Sequence, residues 1–319
     1  MTDYKDIHGF QIEIRSSNPT NLVNGQVWYN TTNSKLRGAT VSSVGGWATG
    51  GTMNTGRYNL AGAGIQTAAL AFGGTLDPPD SALSESYNGT SWTETNDLNT
   101  ARNALAGGGV LTSALAFGGG DTNSALNESF NGTSWTEAAD LNTARRALTG
   151  LGASNTAALA TGGYVSSASA LTEKWNGTSW TEVGDLNTAR YSLGSAGIYS
   201  SALAFGGAAP RVAITESWND TSWTEVADLN TARDHIRGAG SANDDALGIG
   251  GYNGEANLAL TELWNGTSWA EQNDLNSGVR QHSSAGTTSA AISFAGAARV
   301  TASEEWTVPF IDIREFDLS

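Results

Sequence analysis

Two histidines and an aspartate are the side chains here best suited to hold a metal ion or move a proton. His235 and His282 each stand two residues after an arginine of a repeated segment, and Asp234 precedes His235. If the repeats stack side by side, both imidazoles come to the start of equivalent strands in neighbouring units. A metal pair with Asp234 is conceivable there. A zinc-type centre, however, takes three or four protein ligands, and no third stands at a matching spacing. The competing reading is a polar substitution at a half-exposed position. No Ser-His-Asp spacing stands out from chance. The chain has no Cys, which excludes disulfides and thiolate-held metals. No catalytic residue, metal ligand or cofactor is therefore assigned.

Other polar residues recur at fixed places. An arginine opens each unit (Arg57, Arg102, Arg145, Arg190, Arg233, Arg280), and a glutamate sits in each third strand (Glu85, Glu128, Glu173, Glu216, Glu262, Glu304). They could form a charged channel that binds a ligand. They could equally tie a unit to itself or to its neighbour. Repetition in every unit speaks for the second reading, since packing repeats and a binding site is asymmetric. Asp97, Asp140, Asp185, Asp228 and Asp274 read as Asx-type turn formers. Asn88, Asn131, Asn176, Asn219 and Asn265 begin Asn-x-Ser/Thr triplets, but these belong to a repeated hairpin turn rather than to glycosylation sites.

The elements that must position these residues come from the repeat itself. YNGTSWTETNDLNTAR, FNGTSWTEAADLNTAR, WNGTSWTEVGDLNTAR, WNDTSWTEVADLNTAR and WNGTSWAEQNDLNSGVR share a tryptophan at 92, 135, 180, 223 and 269. A sixth unit starts at Arg280 and stops after Trp306. Its missing tryptophan segment lies at the other end, where Trp47–Arg57 aligns with Trp92–Arg102 without a gap. Residues 44–306 thus hold six units, one split between the two ends. Each unit contains four short strand candidates, a to d, with an Asn-Gly turn between c and d. Strand a is mostly Ala and Gly, as a crowded strand near an axis requires. The expectation is an all-β, six-bladed β-propeller closed by an N-terminal strand, rather than an open solenoid with capping units. Closing a loop of some 260 residues costs about 5 kcal/mol. Burying one tryptophan, about 200 Å², offsets a similar amount at about 25 cal/mol per Å².

The Gly doublets (Gly73-Gly74, Gly118-Gly119, Gly162-Gly163, Gly206-Gly207, Gly250-Gly251), followed by an aromatic in strand c and the Trp in strand d, resemble the kelch repeat family. The doublet degrades to Ala295-Gly296 in the last unit. The resemblance implies a kelch-like propeller and says little of function, because kelch-like propellers include enzymes, adaptors and adhesins. Galactose-oxidase-type chemistry needs a Cys-linked Tyr, which a chain without Cys cannot form. The sialidase box S-x-D-x-G-x-x-[TW] is not matched by the N-G-T-S-W turn.

Residues 1–43 and 307–319 fall outside the repeat. FQIEIR and FIDIREF alternate as strands do, and residues 25–38 read as a hairpin turning near Thr32–Ser34. The two ends are expected to pair in one small β module. NPTNLVNGQVWYNTTNSKLRG, through Gly25, Trp28-Tyr29-Asn30 and the Thr31-Thr32 turn, resembles the leader of tailed-phage virion proteins, especially tail-fibre and appendage subunits. That implies a virion protein made in the host cytoplasm, with other tail proteins as partners of the terminal module. The N-terminal residues contain no basic region followed by an apolar one, so no Sec-type signal is expected. A net charge of −15 disfavours nucleic acid and anionic membranes as partners, and no apolar run is long enough for a membrane span.

The b–c loops (TLDPPDSA, GDTNSA, YVSSASA, AAPRVA, YNGEANLA) vary between units while the frame does not. A variable face on a constant frame is where recognition usually sits. Tyr164 and Tyr252 could stack on sugar rings, and Asp77, Asp121, Arg211 and Asn253 could hydrogen-bond hydroxyls. The expected function is host glycan binding without catalysis. The alternatives are a structural or decoration propeller docking other virion proteins, and a glycan-degrading enzyme.

Overall fold

The computed structural model describes residues 12–19, 26–42, 44–76, 78–308 and 310–316. Among these residues all regular structure is β, arranged as seven four-stranded sheets in a pattern compatible with a β-propeller. The chain divides into two compact units, Gly46–Thr307 and Met1–Gly45 with Val308–Ser319.

The larger unit holds six antiparallel sheets, one per repeat. In the first, strands a to d are Ala61–Ile65, Ala68–Phe72, Ser84–Tyr87 and Trp92–Thr95. The later a strands are Ala106–Val110, Thr149–Ser154, Gly194–Ile198, Arg237–Ala242 and Ser283–Gly286. The sixth sheet takes its outer strand, Gly46–Thr49, from the other end of the repeat region, with Trp47 paired to Trp306. Each sheet shares a buried apolar cluster with the next in chain order. The sixth shares one with the first, where Phe294 lies 4.9 Å from Trp92.

Close packing explains the composition of strand a. A Cβ on Gly107 would come within 2.4 Å of Phe72, on Gly150 within 2.5 Å of Phe117, and on Gly62 within 2.6 Å of Phe294. Each phenylalanine belongs to strand b of one sheet and each glycine to strand a of the next, so a side chain there would force the sheets apart. The doublet Gly73-Gly74 is left-handed at both residues (φ 66° and 101°), and its turn brings the Gly74 N–H onto the carbonyl of Arg102 in the following unit.

The c–d turn differs from a two-residue hairpin. Tyr87 pairs with Trp92, so the loop spans Asn88 to Ser91. Gly89 takes positive φ, while the Asn88 side chain accepts the N–H groups of Thr90 and Ser91 at 2.9 Å.

In the smaller unit, Val27–Asn30 and Lys35–Ser42 form the expected hairpin. Phe310–Phe316 pairs antiparallel with Lys35–Ser42, and Glu13–Arg15 lies parallel to Val27–Asn30. The two terminal strands therefore share one sheet but do not pair with each other, because the hairpin lies between them. Phe10 and Gln11 of the first strand candidate lie outside the described residues.

Candidate functional site

The repeated polar residues form the frame. Arg57–Glu85, Arg102–Glu128, Arg145–Glu173 and Arg190–Glu216 are buried ion pairs at 2.9 Å, and Arg233–Glu262 is a fifth. Each pair joins the segment before strand a to strand c of the same sheet. Burial pulls all five guanidiniums below the ordinary arginine range, opposed by the charge and hydrogen bond of the glutamate. The second glutamate oxygen accepts a backbone N–H, as from Asn54 and Asn142 at 2.7 Å. The aspartates differ from their expected role. Asp97, Asp140, Asp185, Asp228 and Asp274 accept the N–H of a residue 13 positions earlier, at the start of strand c. The Asx turns belong to the asparagines of the c–d loops.

The sixth unit breaks the pattern. The Gly74 N–H reaches Arg102 and the Gly207 N–H reaches Arg233, but the Gly251 N–H reaches Val279. Val279 therefore occupies the frame-arginine position, and Arg280 and His282 stand one place later than the sequence alignment puts them. Glu304 keeps its bond from the Asn276 N–H at 2.8 Å. Arg280 instead lies over the Tyr252 ring, 4.3 Å from its centre.

The corrected register exposes a column that the sequence reading missed. The residues just after the frame position are Tyr58, Asn103, Arg146, Tyr191, Asp234 and Arg280. Their carbonyls accept from the residue after the doublet, for instance Thr75, Gly120, Tyr164 and Tyr252. Next inward come Asn59, Ala104, Ala147, Ser192, His235 and Gln281, all at positive φ. Ala104 donates to Asn59, Ala147 to Ala104, Ser192 to Ala147 and His235 to Ser192, while Asn59 donates to Gln281, each at 2.8 Å. This places the end of every d–a segment beside the start of a b–c loop.

A cavity of about 500 Å³ opens among these residues. Asn59, Asn103, Asp121, Arg146, Tyr164, Tyr191, Ser192, His235 and Arg237 supply its polar and aromatic lining. Leu105, Leu148 and Arg237 also line a second cavity of about 280 Å³, walled by strand a of all six sheets. Tyr164 and Tyr191 meet edge to face at 5.5 Å, and the Arg146 guanidinium lies 5.2 Å from the Tyr164 ring centre. The Asp121 carboxylate accepts from Asn103 at 2.9 Å.

Of the predicted site residues, Asp121 and Tyr164 thus share the first cavity. Arg211 and Tyr252 form a separate group: Arg211 lies 5.2 Å from the Tyr252 ring centre and ion-pairs with Asp234 at 2.8 Å. With Arg280 also over that ring, Tyr252 is committed to two guanidiniums. Asn253 is exposed and closes its own loop by accepting the N–H groups of Glu255 and Ala256. Asp77 lies outside the described residues. The two histidines do not converge on a ligand set. His235 Nδ1 bonds Asp234 at 2.8 Å. His282 is fully buried at the place held by Leu60, Leu105, Leu148, Leu193 and Ile236, and neither ring nitrogen has a partner. Burial, then Arg237 and His235, hold its pKa well below the usual imidazole value. Asp234 feels burial upward, but His235 and Arg211 bring it below the usual carboxylate value. Among the described residues no three His, Asp or Glu side chains group closely enough to hold a metal ion.

Arg146, Tyr191, His235 and Arg237 were not expected at the site. For Arg146 and Tyr191 the signal that could have found them is the residue after the frame arginine, which varies among Tyr, Asn, Arg and Asp within an otherwise repeated segment; for Arg237 it is a large cation where strand a is otherwise small. No family model matches the chain. No curated protein matches it.

Proposed function

We propose that this chain is a non-enzymatic tailed-phage virion protein, a tail-fibre or appendage subunit, in which a six-bladed kelch-like β-propeller closed by Gly46–Thr49 binds host surface glycan. The closure reading is supported by the Trp47–Trp306 pairing, the Asn59–Gln281 bond and the Phe294–Trp92 contact. The virion assignment rests on the resemblance of residues 18–38 to phage leaders. One observation carries the binding reading: the six equivalent positions Tyr58, Asn103, Arg146, Tyr191, Asp234 and Arg280 all face the b–c loops, yet differ in chemistry while the frame around them repeats. Tyrosine rings beside asparagine, serine and arginine donors suit stacking and hydroxyl recognition in a cavity of ligand size.

The test is a glycan array probed with a multimerised form of the protein. Wild-type signal should fall at least fivefold in Tyr164→Ala and in Tyr191→Ala, with melting temperatures nearly unchanged. A blank array, with capture of another tail protein instead, would favour the docking reading. That alternative draws on Ile14 and Val27, which stand exposed on the terminal sheet, and on exposed Ile12 just before it. Release of sugar from a host polysaccharide would refute both non-enzymatic readings.

A further inference from the structure

The geometry points to an oxyanion subsite at the floor of the 500 Å³ cavity, with Arg237 as its ligand-facing cation. The ligand class is a saccharide carrying a carboxylate, sulfate or phosphate; this deepens the glycan reading above and rests on it.

Arg237 does not belong to the frame. It opens strand a of the fifth sheet, where it pairs with Ile249. The residues at the same register are Ala61, Ala106, Thr149, Gly194 and Ser283. Five small residues show what the packing needs there; the sixth is the largest cation available.

Nor is it neutralised. Each frame arginine meets a glutamate, whereas among the described residues no ion pair links Arg237 to an acid. Its hydrogen bond runs from Nη1 to the adjacent carbonyl of Ile236 at 3.0 Å. Burial lowers its pKa to about 10, with no acid opposing the fall. It therefore remains charged at neutral pH, half-buried between the two cavities it lines, with no counter-ion from the protein.

His235 lines the same cavity, and His282 lies close enough for Arg237 to depress its pKa. The cavity carboxylate, Asp121, is bonded to Asn103, and Asp234 is shared between Arg211 and His235. Across the larger unit the six cations outside the frame pairs are Arg146, Lys174, Arg211, Arg237, Arg280 and Arg299. Arg146 and Arg237 line this cavity, in a chain of net charge −15. An oxyanion seated on Arg237 gains charge-assisted hydrogen bonds from a planar, fork-shaped donor. Its sugar ring would then lie toward Tyr164 and Tyr191.

Titration calorimetry and thermal unfolding at low ionic strength test this on the full chain, with glucuronate, inorganic sulfate, inorganic phosphate and glucose as probes. At least one oxyanion should bind and raise the melting temperature, while glucose at equal concentration does neither; which oxyanion binds identifies the acidic group. Arg237→Ser, matching Ser283, should weaken that binding at least tenfold while its melting temperature in buffer equals or exceeds the wild-type value. Arg237→Lys should retain part of the affinity. The proposal is overturned if no oxyanion binds, if Arg237→Ser binds as well as wild type, or if Arg237→Ser melts several degrees lower, which would assign Arg237 to the frame. Neutral glycans held equally by wild type and Arg237→Ser would leave the glycan reading standing and remove this one. Oxyanion binding with a blank glycan array would remove the glycan reading and the saccharide with it, and leave Arg237 as a site for a free anion only.

Discussion

At the residue scale, His282 is the sharpest departure from the repeat. Five units place Leu or Ile where it stands, and neither of its nitrogens finds a partner. An unsatisfied buried polar group costs about 1–3 kcal/mol, so His282→Leu should stabilise the protein by about that much at pH 7. The charged groups bearing on His282 are Arg237 and His235, and both oppose its protonation. Its folded pKa lies below its unfolded value of about 6.5. Below that pH the unfolded chain binds a proton that the folded chain refuses. Stability is therefore lost as pH falls, at up to about 1.4 kcal/mol per unit. The stability gap between His282→Leu and wild type should widen from pH 7 to pH 5 in urea unfolding curves. A constant gap would mean that His282 protonates freely in the folded state. The buried Arg–Glu pairs were legible because one arginine and one strand-c glutamate recur in each unit, 26 to 29 positions apart in the five pairs. It concealed the chemistry of the sixth: the extra residue in Asn276-Ser277-Gly278-Val279-Arg280 lets an arginine align by eye where the backbone places a valine.

At the element scale, the split sheet makes a testable claim about Gly46–Thr49. Trp47 is buried between strands, donates Nε1–H to Thr261 of the fifth sheet at 2.8 Å, and lies 5.5 Å from Trp306. Trp223 and Trp269 make the same bond to the sheet before theirs, to Thr172 and Thr215. A strand with equivalent contacts should carry equivalent energy. Trp47→Ala is expected to cost about 3–5 kcal/mol, close to the cost of Trp223→Ala measured beside it by chemical unfolding. A loss under 1 kcal/mol for Trp47→Ala alone would show that Gly46–Thr49 is dispensable, and the closure reading would fall. Strand order was legible because apolar runs, glycine doublets and tryptophans repeat with the unit. Turn detail was not. Asn-Gly suggested a tight hairpin, but the Asn88 side chain can cap two N–H groups only if the loop extends to Ser91. The terminal strands likewise alternated as strands should, yet alternation names no partner, and both joined the hairpin rather than each other.

At the scale of the whole molecule, charge is distributed by role. Most acidic residues of the larger unit follow the repeat, in strands c and d and the segments after them, whereas the cations outside the frame pairs sit at changing positions. A sugar held by one stacked ring, one ion pair and a few hydrogen bonds binds weakly, with Kd on the order of millimolar. An adhesin of that affinity works only when several copies engage together, and linkage raises apparent affinity by roughly 10²–10⁴. Under the proposed function the terminal sheet, where Ile14 and Val27 stand exposed, would hold copies on a shared scaffold. We therefore expect the monomer to give little retained signal on immobilised acidic glycan, and a trimerised or particle-bound form to be retained at least a hundredfold longer in surface plasmon resonance. Raising salt from 50 to 500 mM should shorten that retention, because the ion pair is screened as the Debye length falls from about 14 Å to about 4 Å. Stacking on Tyr164 and Tyr191 is indifferent to salt. Retention that survives 500 mM salt unchanged would locate the energy in the aromatic wall and leave Arg237 without a role, whereas equal retention of monomer and multimer would remove the need for a multivalent tail.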